Sequence, residues 1–219
     1  GGVGYAHSNW IVEGDPGFDV WAMDVARYGD WATLAYTNKK VQENYSRRFS
    51  IRFPNEELPA GRPLRTTPIY DRLLAAGAQM GEAYGLEQAL WFAPEGIVDD
   101  FSWRRSTDFE YVAEEAKAVR NAVGMMEISS FAKYMIRGLG APDWLDHLLA
   151  CRLPVEGRMT LAPMLNHVGK LIGDFSLANL GDGEYFIAGS GLAENYHMRW
   201  FTQNLPEDGS VEIIAHGAG

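Results

Sequence analysis

The sequence predicts an α+β fold with mostly antiparallel strand pairing, on three observations. From residue 107 onward, short apolar runs of period two alternate with runs of helical period. The turn residues Asn166, His167, Gly169 and Lys170 separate two such apolar runs, which is hairpin chemistry. At 219 residues, 47% hydrophobic and 22% charged, the chain can bury a core and suits one or two ordinary domains.

Taken in order, Gly1, Gly2 and Gly4 read as a glycine turn opening a short helix that ends at Gly14. A second helical stretch covers residues 31–45, and Trp10, Trp21, Tyr28, Trp31 and Tyr36 anchor this first part. Residues 46–105 turn rich in Pro, Gly, Arg and aromatics. Residues 68–76 read there as a helix with an early proline, and 79–85 and 88–92 as short strands. Trp91, Phe92, Phe101 and Trp103 call for burial, so this region is a structured arm and not a flexible linker. Thr107 and Glu110 have capping-box spacing. The helix they open carries Tyr111, Val112, Ala116, Val119 and Val123 at helical spacing and stops at Gly124. Strands follow at 130–137, 159–166, 171–180, 184–188 and 211–214, with helices at 142–150 and 192–205.

The hairpin at 159–180 holds the main chemical candidate. Beyond its turn, Leu171, Gly173, Phe175 and Leu177 share one face, and Ile172, Asp174, Ser176 and Ala178 the other. Neither set reads as solvated, which predicts a low-dielectric setting for Asp174. Desolvation raises a carboxyl pKa, and such carboxyls serve as general acids and bases. The same residue also suits a turn cap or an acceptor for a backbone amide. Gly173 leaves room for a ligand or a second backbone to approach.

Charge and composition exclude several classes. The formal net charge of -10, from 19 basic and 29 acidic residues, disfavours nucleic acid. Arg47, Arg48 and Arg52, and Arg104 with Arg105, are clusters too short for a polyanion and read as solvated faces or ion pairs. No apolar run approaches the ~20 residues of a membrane span. Cys151 is the single cysteine, which rules out an internal disulfide, reads as a packed thiol and suits a reducing compartment, cytoplasm or mitochondrial matrix. His7, His147, His167, His197 and His216 lack metal-ligand spacing, and no metal is expected. No Ser-His-Asp arrangement or phosphate-binding loop is evident.

Residues 124–138, 141–149, 157–169 and 183–190, in this order around the hairpin, resemble the tetrahydrofolate-binding aminomethyltransferase domain of glycine cleavage systems. That family's pattern is an Asp-x-Ser-x-x-x-Lys strand, a short helix, then Asn-x-x-Gly-Gly-x-x-Asp-Asp. The chain keeps Asn166, Gly169 and Asp174, and departs at Glu127 (commonly Asp), Lys170 (the second Gly) and Gly173 (the first Asp). Residues 1–14, 16–20, 44–54, 59–70 and 81–94 resemble the region joining a flavin-dependent amine oxidoreductase to a folate domain in the dimethylglycine and sarcosine dehydrogenase family. The resemblance implies the end of a flavin domain at 1–45, a connecting arm at 46–105 and the first half of an aminomethyltransferase-like folate domain at 106–219. It further implies an internal piece of a longer polypeptide, with a dinucleotide-binding fingerprint upstream of Gly1.

The function it implies is FAD-dependent oxidative N-demethylation of dimethylglycine or sarcosine, with the one-carbon unit passed to tetrahydrofolate. Asp174 is then the catalytic residue. Phe131, Asp174, Ser176 and Gly189 line the folate pocket, Gly189 making room by its missing side chain. Gly1, Gly2 and Gly4 lie at the FAD ring system. An electron-transfer flavoprotein is the implied partner of a dehydrogenase. A flavin-independent aminomethyl or methyl transferase and a non-catalytic folate-binding relative remain the alternatives.

Overall fold

The alternating runs of the second half build one antiparallel sheet. In the computed structural model, which describes residues 1–217, β3 (Ala132–Arg137), β4 (Met159–Leu165), β5 (Leu171–Gly181), β6 (Glu184–Gly189) and β7 (Glu212–Ala215) pair in the order β4-β5-β6-β3-β7. Each neighbouring pair is antiparallel. Tyr134, Ile136, Ala162, Met164, Phe175, Leu177, Tyr185 and Ile187 point to one side and are buried there. That side is closed by α5 (Ala141–Leu148) and α6 (Glu194–Gln203). Ala141, Trp144, Leu145 and Leu148 of α5 and His197 and Phe201 of α6 are the buried helix positions.

Phe201 is central. Its ring meets Tyr134 edge-on at 5.2 Å, Phe175 at 5.8 Å and Trp144 at 5.9 Å. Burying each such side chain contributes roughly 1.5–3 kcal/mol. Trp144 Nε1 donates to the carbonyl of Asn204 at 2.6 Å, fixing α5 to the end of α6.

The first half forms α1 (Gly2–Glu13), α2 (Leu34–Ser46), α3 (Tyr70–Ala75), the hairpin β1 (Ala78–Ala83) and β2 (Leu86–Phe92), and α4 (Asp108–Asn121). α1 ends at Gly14 as expected, with a φ of 75° and its amide on the Trp10 carbonyl at 3.1 Å. The opening glycines are not a separate turn: Gly1 is the N-cap, and Gly2 and Gly4 lie in the first helical turn.

The arm is structured. Tyr36 and Lys40 of α2 both donate to the Glu82 carboxylate on β1. Burial pushes that carboxyl up, but the hydrogen bonds from Lys40 and Tyr36 outweigh it and hold it below its ordinary value. Arg62 forks onto Glu87, itself 2% exposed, at 2.8 and 2.6 Å, and donates to the Met80 carbonyl at 2.7 Å. Trp91 is buried and stacks on Tyr111 of α4 at 5.6 Å. The expectation of burial fails for Trp103 and Phe92, which stay exposed; Trp103 touches Phe53 at the surface.

The capping box is absent. Thr107 enters α4 already in helical conformation (φ -57°, ψ -35°), so its hydroxyl makes no cap bond and instead accepts from the Asp100 amide at 3.2 Å. α4 stops at Asn121, short of Gly124.

Two short 3-10 turns, Trp21–Met23 and Val25–Arg27, lie on the outer flank of α6. Asp24 accepts from Arg199 at 2.9 Å, and Asn195 donates to the carbonyls of Ala26 and Tyr28 at 3.0 and 3.2 Å.

Candidate functional site on the open face of the sheet

The alternation along β5 decides the setting of Asp174. Gly173, Phe175 and Leu177 point into the core, whereas Asp174 and Ser176 point outward and are exposed. The expectation that neither face is solvated is therefore corrected: α5 and α6 cover one face, and no described residue buries Asp174 from the other. Among the described residues neither Asp174 nor Ser176 makes a side-chain hydrogen bond. The cap reading of Asp174 is not realised either. Asn166 caps the turn, its Oδ1 accepting from the amides of Val168 at 3.1 Å and Lys170 at 2.9 Å.

Register places the other candidates. Ser176 lies opposite Leu161 on one side and Ala188 on the other, and Ala188 opposite Lys133. The next outward-facing row is Met159, Ala178, Phe186, Met135 and Ile214, an apolar floor. Phe131 immediately precedes Ala132, which pairs with Gly189, so Phe131 and Asp174 occupy the same end of the sheet on either side of β6. With strands about 4.8 Å apart, that separation is roughly 10 Å. Phe131 is 46% exposed. The turn that carries it is held by Lys133, whose Nζ donates to the carbonyls of Ser129 and Phe131, each at 2.8 Å, and of Gly217 at 3.4 Å. Burial pushes the Lys133 ammonium down, against the pull of Glu194 and Glu127. Glu127 keeps one buried oxygen without a partner.

Gly189 and Gly173 have a different use from the one expected. A Cβ on Gly189 would lie 2.6 and 2.7 Å from Cδ1 and Cε1 of Phe175. One on Gly173 would lie 2.7 Å from Phe175 Cζ and 3.0 Å from His197 Nε2. The space left by both glycines is filled by the core, on the buried side of the sheet, and not by a ligand.

His197 has no role in the sequence reading beyond the missing metal spacing. It is 2% exposed and meets Phe175 edge-on at 4.7 Å. Burial pushes its pKa down to about 4, against the pull of a backbone hydrogen bond with Ile172 and of the Asp174 charge. The signal that marks it is its spacing, four residues before Phe201 on one helix face.

Gly1, Gly2 and Gly4 stand apart at the N-terminus of α1, with nothing within 4 Å of a side chain added at any of them. The first-turn amides suit an electron-rich group. α1 buries no residue, and the described residues build no wall around a flavin there. Cys151 packs partly buried against the core, and burial pushes its thiol up. Among the described residues no group of His, Cys, Asp or Glu is placed to hold a metal, and no helix is long and apolar enough to cross a membrane.

Comparison with known proteins fits this architecture. Residues 69–217 match the GCVT N-terminal domain, and residues 13–67 match the FAD dependent oxidoreductase central domain. The chain belongs to the GCVT N-terminal domain family. The resemblance read in the sequence thus holds for both parts of the chain. A solved GCVT structure, the glycine cleavage system aminomethyltransferase T from Bartonella henselae, superposes with a TM-score of 0.54 at 17% identity, covering 69% of this chain and 38% of that one. This shows the shared fold. Mitochondrial dimethylglycine dehydrogenase from Homo sapiens is 36% identical over 218 residues, 97% of this chain and 25% of that protein. The mitochondrial pyruvate dehydrogenase phosphatase regulatory subunit from Mus musculus is 29% identical over 220 residues, 96% of this chain and 25% of that protein. The chain spans about a quarter of the length of these relatives.

Proposed function

We propose that the open end of the sheet face binds tetrahydrofolate, with Asp174 as the residue that serves one-carbon transfer, in a protein that oxidises an N-methylated amine such as dimethylglycine or sarcosine. The observation that carries this is the pair Asp174 and Ser176, outward on β5 without intramolecular hydrogen-bond partners and at the same end of the sheet as Phe131. The likeness to dimethylglycine dehydrogenase supports the amine substrate, and the match to the FAD dependent oxidoreductase central domain supports FAD. An electron-transfer flavoprotein as acceptor goes with the dehydrogenase form of this reading.

Tetrahydrofolate, when bound, supplies the nitrogen nucleophiles that take up a one-carbon unit. Asp174 accepts a hydrogen bond from the pterin end, and its negative charge favours a cation developing beside it. It can also accept the proton that the attacking nitrogen gives up. Ser176, one step along the same face, offers a hydroxyl that donates or accepts. Phe131 offers a flat surface for stacking a heterocycle, with Lys133 fixing the turn that carries it. Gly189 contributes through the core: it seats Phe175, the neighbour of both Asp174 and Ser176 on β5.

The likeness to a phosphatase regulatory subunit favours a second reading, in which the face binds folate without turnover. Asp174→Asn in the full-length protein that carries these residues separates the possibilities. The variant should bind tetrahydrofolate at least tenfold more weakly while amine-dependent bleaching of the flavin continues. Unchanged tetrahydrofolate affinity would overturn the assignment of Asp174. A wild type that binds tetrahydrofolate yet shows no flavin bleaching with either amine would favour the non-catalytic reading.

A further inference from the structure

We propose that His197 is a positioning residue for this site: its imidazole, seated beneath Gly173, holds the bulged backbone of β5 at Ile172 and so fixes where Asp174 leaves the outward face. The proposal rests on the folate reading of that face.

The register of the hairpin supplies the reason. Leu165 pairs with Leu171 and Met164 with Gly173, so Ile172 is an extra residue with no partner on β4. On the other side, the pairing of β5 with β6 begins only at Ser176. Ile172 is therefore the extra residue of a bulge against β4 and lies ahead of the pairing with β6, two residues before the catalytic candidate. A bulge locally disrupts the ladder, so a contact from outside the sheet has most to fix there. The His197 ring reaches the bulge from α6, its Nε2 3.0 Å from where a Cβ on Gly173 would stand, and the Ile172 backbone pulls the imidazole pKa up against burial.

The ring has little freedom to do otherwise. It is enclosed at 2% exposure, lies edge-on to Phe175, and its Nδ1 is buried with no partner. Gly173 completes the fit, since a side chain there would start 3.0 Å from Nε2. This accounts for the glycine where the family pattern has an aspartate. A carboxylate on the core side at that position would meet the Phe175 ring at 2.7 and 2.9 Å and the imidazole at 3.0 Å, so Gly173, Phe175 and His197 are fitted to one another. One ring thus couples α6 to the segment of β5 from which Asp174 projects, and its loss releases that segment without opening the rest of the sheet.

The test uses His197→Leu and His197→Gln in the full-length protein, read by amide hydrogen exchange and by tetrahydrofolate affinity. Leucine fills much of the volume without a hydrogen bond, whereas glutamine keeps a donor. In the leucine variant, exchange at residues 172–174 should rise at least tenfold with residues 185–187 of β6 unchanged, and tetrahydrofolate should bind about tenfold more weakly. Glutamine should restore both to within about threefold of wild type. If exchange at 172–174 does not change in the leucine variant, or if glutamine rescues neither readout, the positioning role is overturned. Should His197→Leu not fold, Gly173→Ala, which presses on the ring without removing it, must raise exchange at the same amides or the proposal fails. Failure of the folate reading is separate, because it shows in Asp174→Asn binding tetrahydrofolate like wild type, whatever the exchange at 172–174.

Discussion

Gly189→Ala is expected to destabilise the sheet through a single neighbour, the ring of Phe175. The added methyl would sit 2.6 and 2.7 Å from two ring carbons, well inside van der Waals contact. The ring cannot swing away: Gly173 lies close against Cζ, His197 meets it at 4.7 Å and Phe201 at 5.8 Å, and it is 1% exposed. Overpacking of this kind costs about 1–3 kcal/mol, and a contact under 3 Å against a trapped ring belongs in the upper half of that range. For a chain of this size, a cost of about 2 kcal/mol lowers Tm by roughly 4–8 °C. The cause is isolated by a double-mutant cycle with Phe175→Leu, whose smaller side chain relieves the clash. In that background the cost of Gly189→Ala should fall below about 1 kcal/mol, a coupling of about 1–2 kcal/mol expected between residues in contact. Urea unfolding followed by circular dichroism gives all four corners. A Gly189→Ala cost that persists undiminished in the Phe175→Leu background would show that the glycine serves something other than the ring.

The His197 pKa is depressed in the folded state to about 4, against 6.5 for the free side chain, so its stabilising effect is complete above pH 6.5 and lost as pH falls toward 4. Asp174 on β5 and Tyr196 on α6 are the titratable groups beside it, and about 2 kcal/mol should disappear between pH 7 and pH 5. His197→Leu should flatten that acid-side slope in urea midpoints, and a slope that persists in the variant would assign it elsewhere. Arg62→Ala strands the 2%-exposed carboxylate of Glu87 and should cost about 3–5 kcal/mol, with partial recovery in the Arg62→Ala, Glu87→Gln double variant, again by urea unfolding. Thr33→Ala removes a hydroxyl that accepts from the Tyr36 amide and should cost about 1 kcal/mol, whereas Thr107→Ala removes no cap and should cost less than about half of that. Equal costs in thermal melts would contradict the different geometries of the two helix starts.

Strand positions are legible in the sequence wherever one face is buried. Residues 130–137 and 171–180 read as strands, and the structure has Ala132–Arg137 and Leu171–Gly181. Which face is covered is not legible, since Phe175 and Leu177 on one side and Ile172 and Ala178 on the other are all apolar. The choice is made by α5 and α6, and nothing in the alternation along β5 records where those helices pack. The same gap explains the two glycines, which read as space for a ligand when the space lies on the core side. His197 lacks metal spacing, but its helical spacing to Phe201 marks it as a buried position. At Thr107 the residues suit a capping box, but the chain arrives in helical conformation, and a cap requires an extended one.

The packing of α6 also bears on the position of Asp174. α6 is held on two sides, by the core through His197 and Phe201 and by residues 21–28 through Asp24, Ala26 and Tyr28. Arg199 is 38% exposed in its pair with Asp24, whose side chain is 7% exposed. The inner face buries Phe201 completely among three other rings, and losing an aromatic from such a place costs about 3–5 kcal/mol. His197 and Phe201 seat α6 in the core of the sheet, and residues 21–28 pack on its outer flank. A weakened Asp24–Arg199 contact then shifts the N-terminal segment and leaves the His197 link to β5 in place. Only changes that reach the His197–Phe175 layer move the strand from which Asp174 projects.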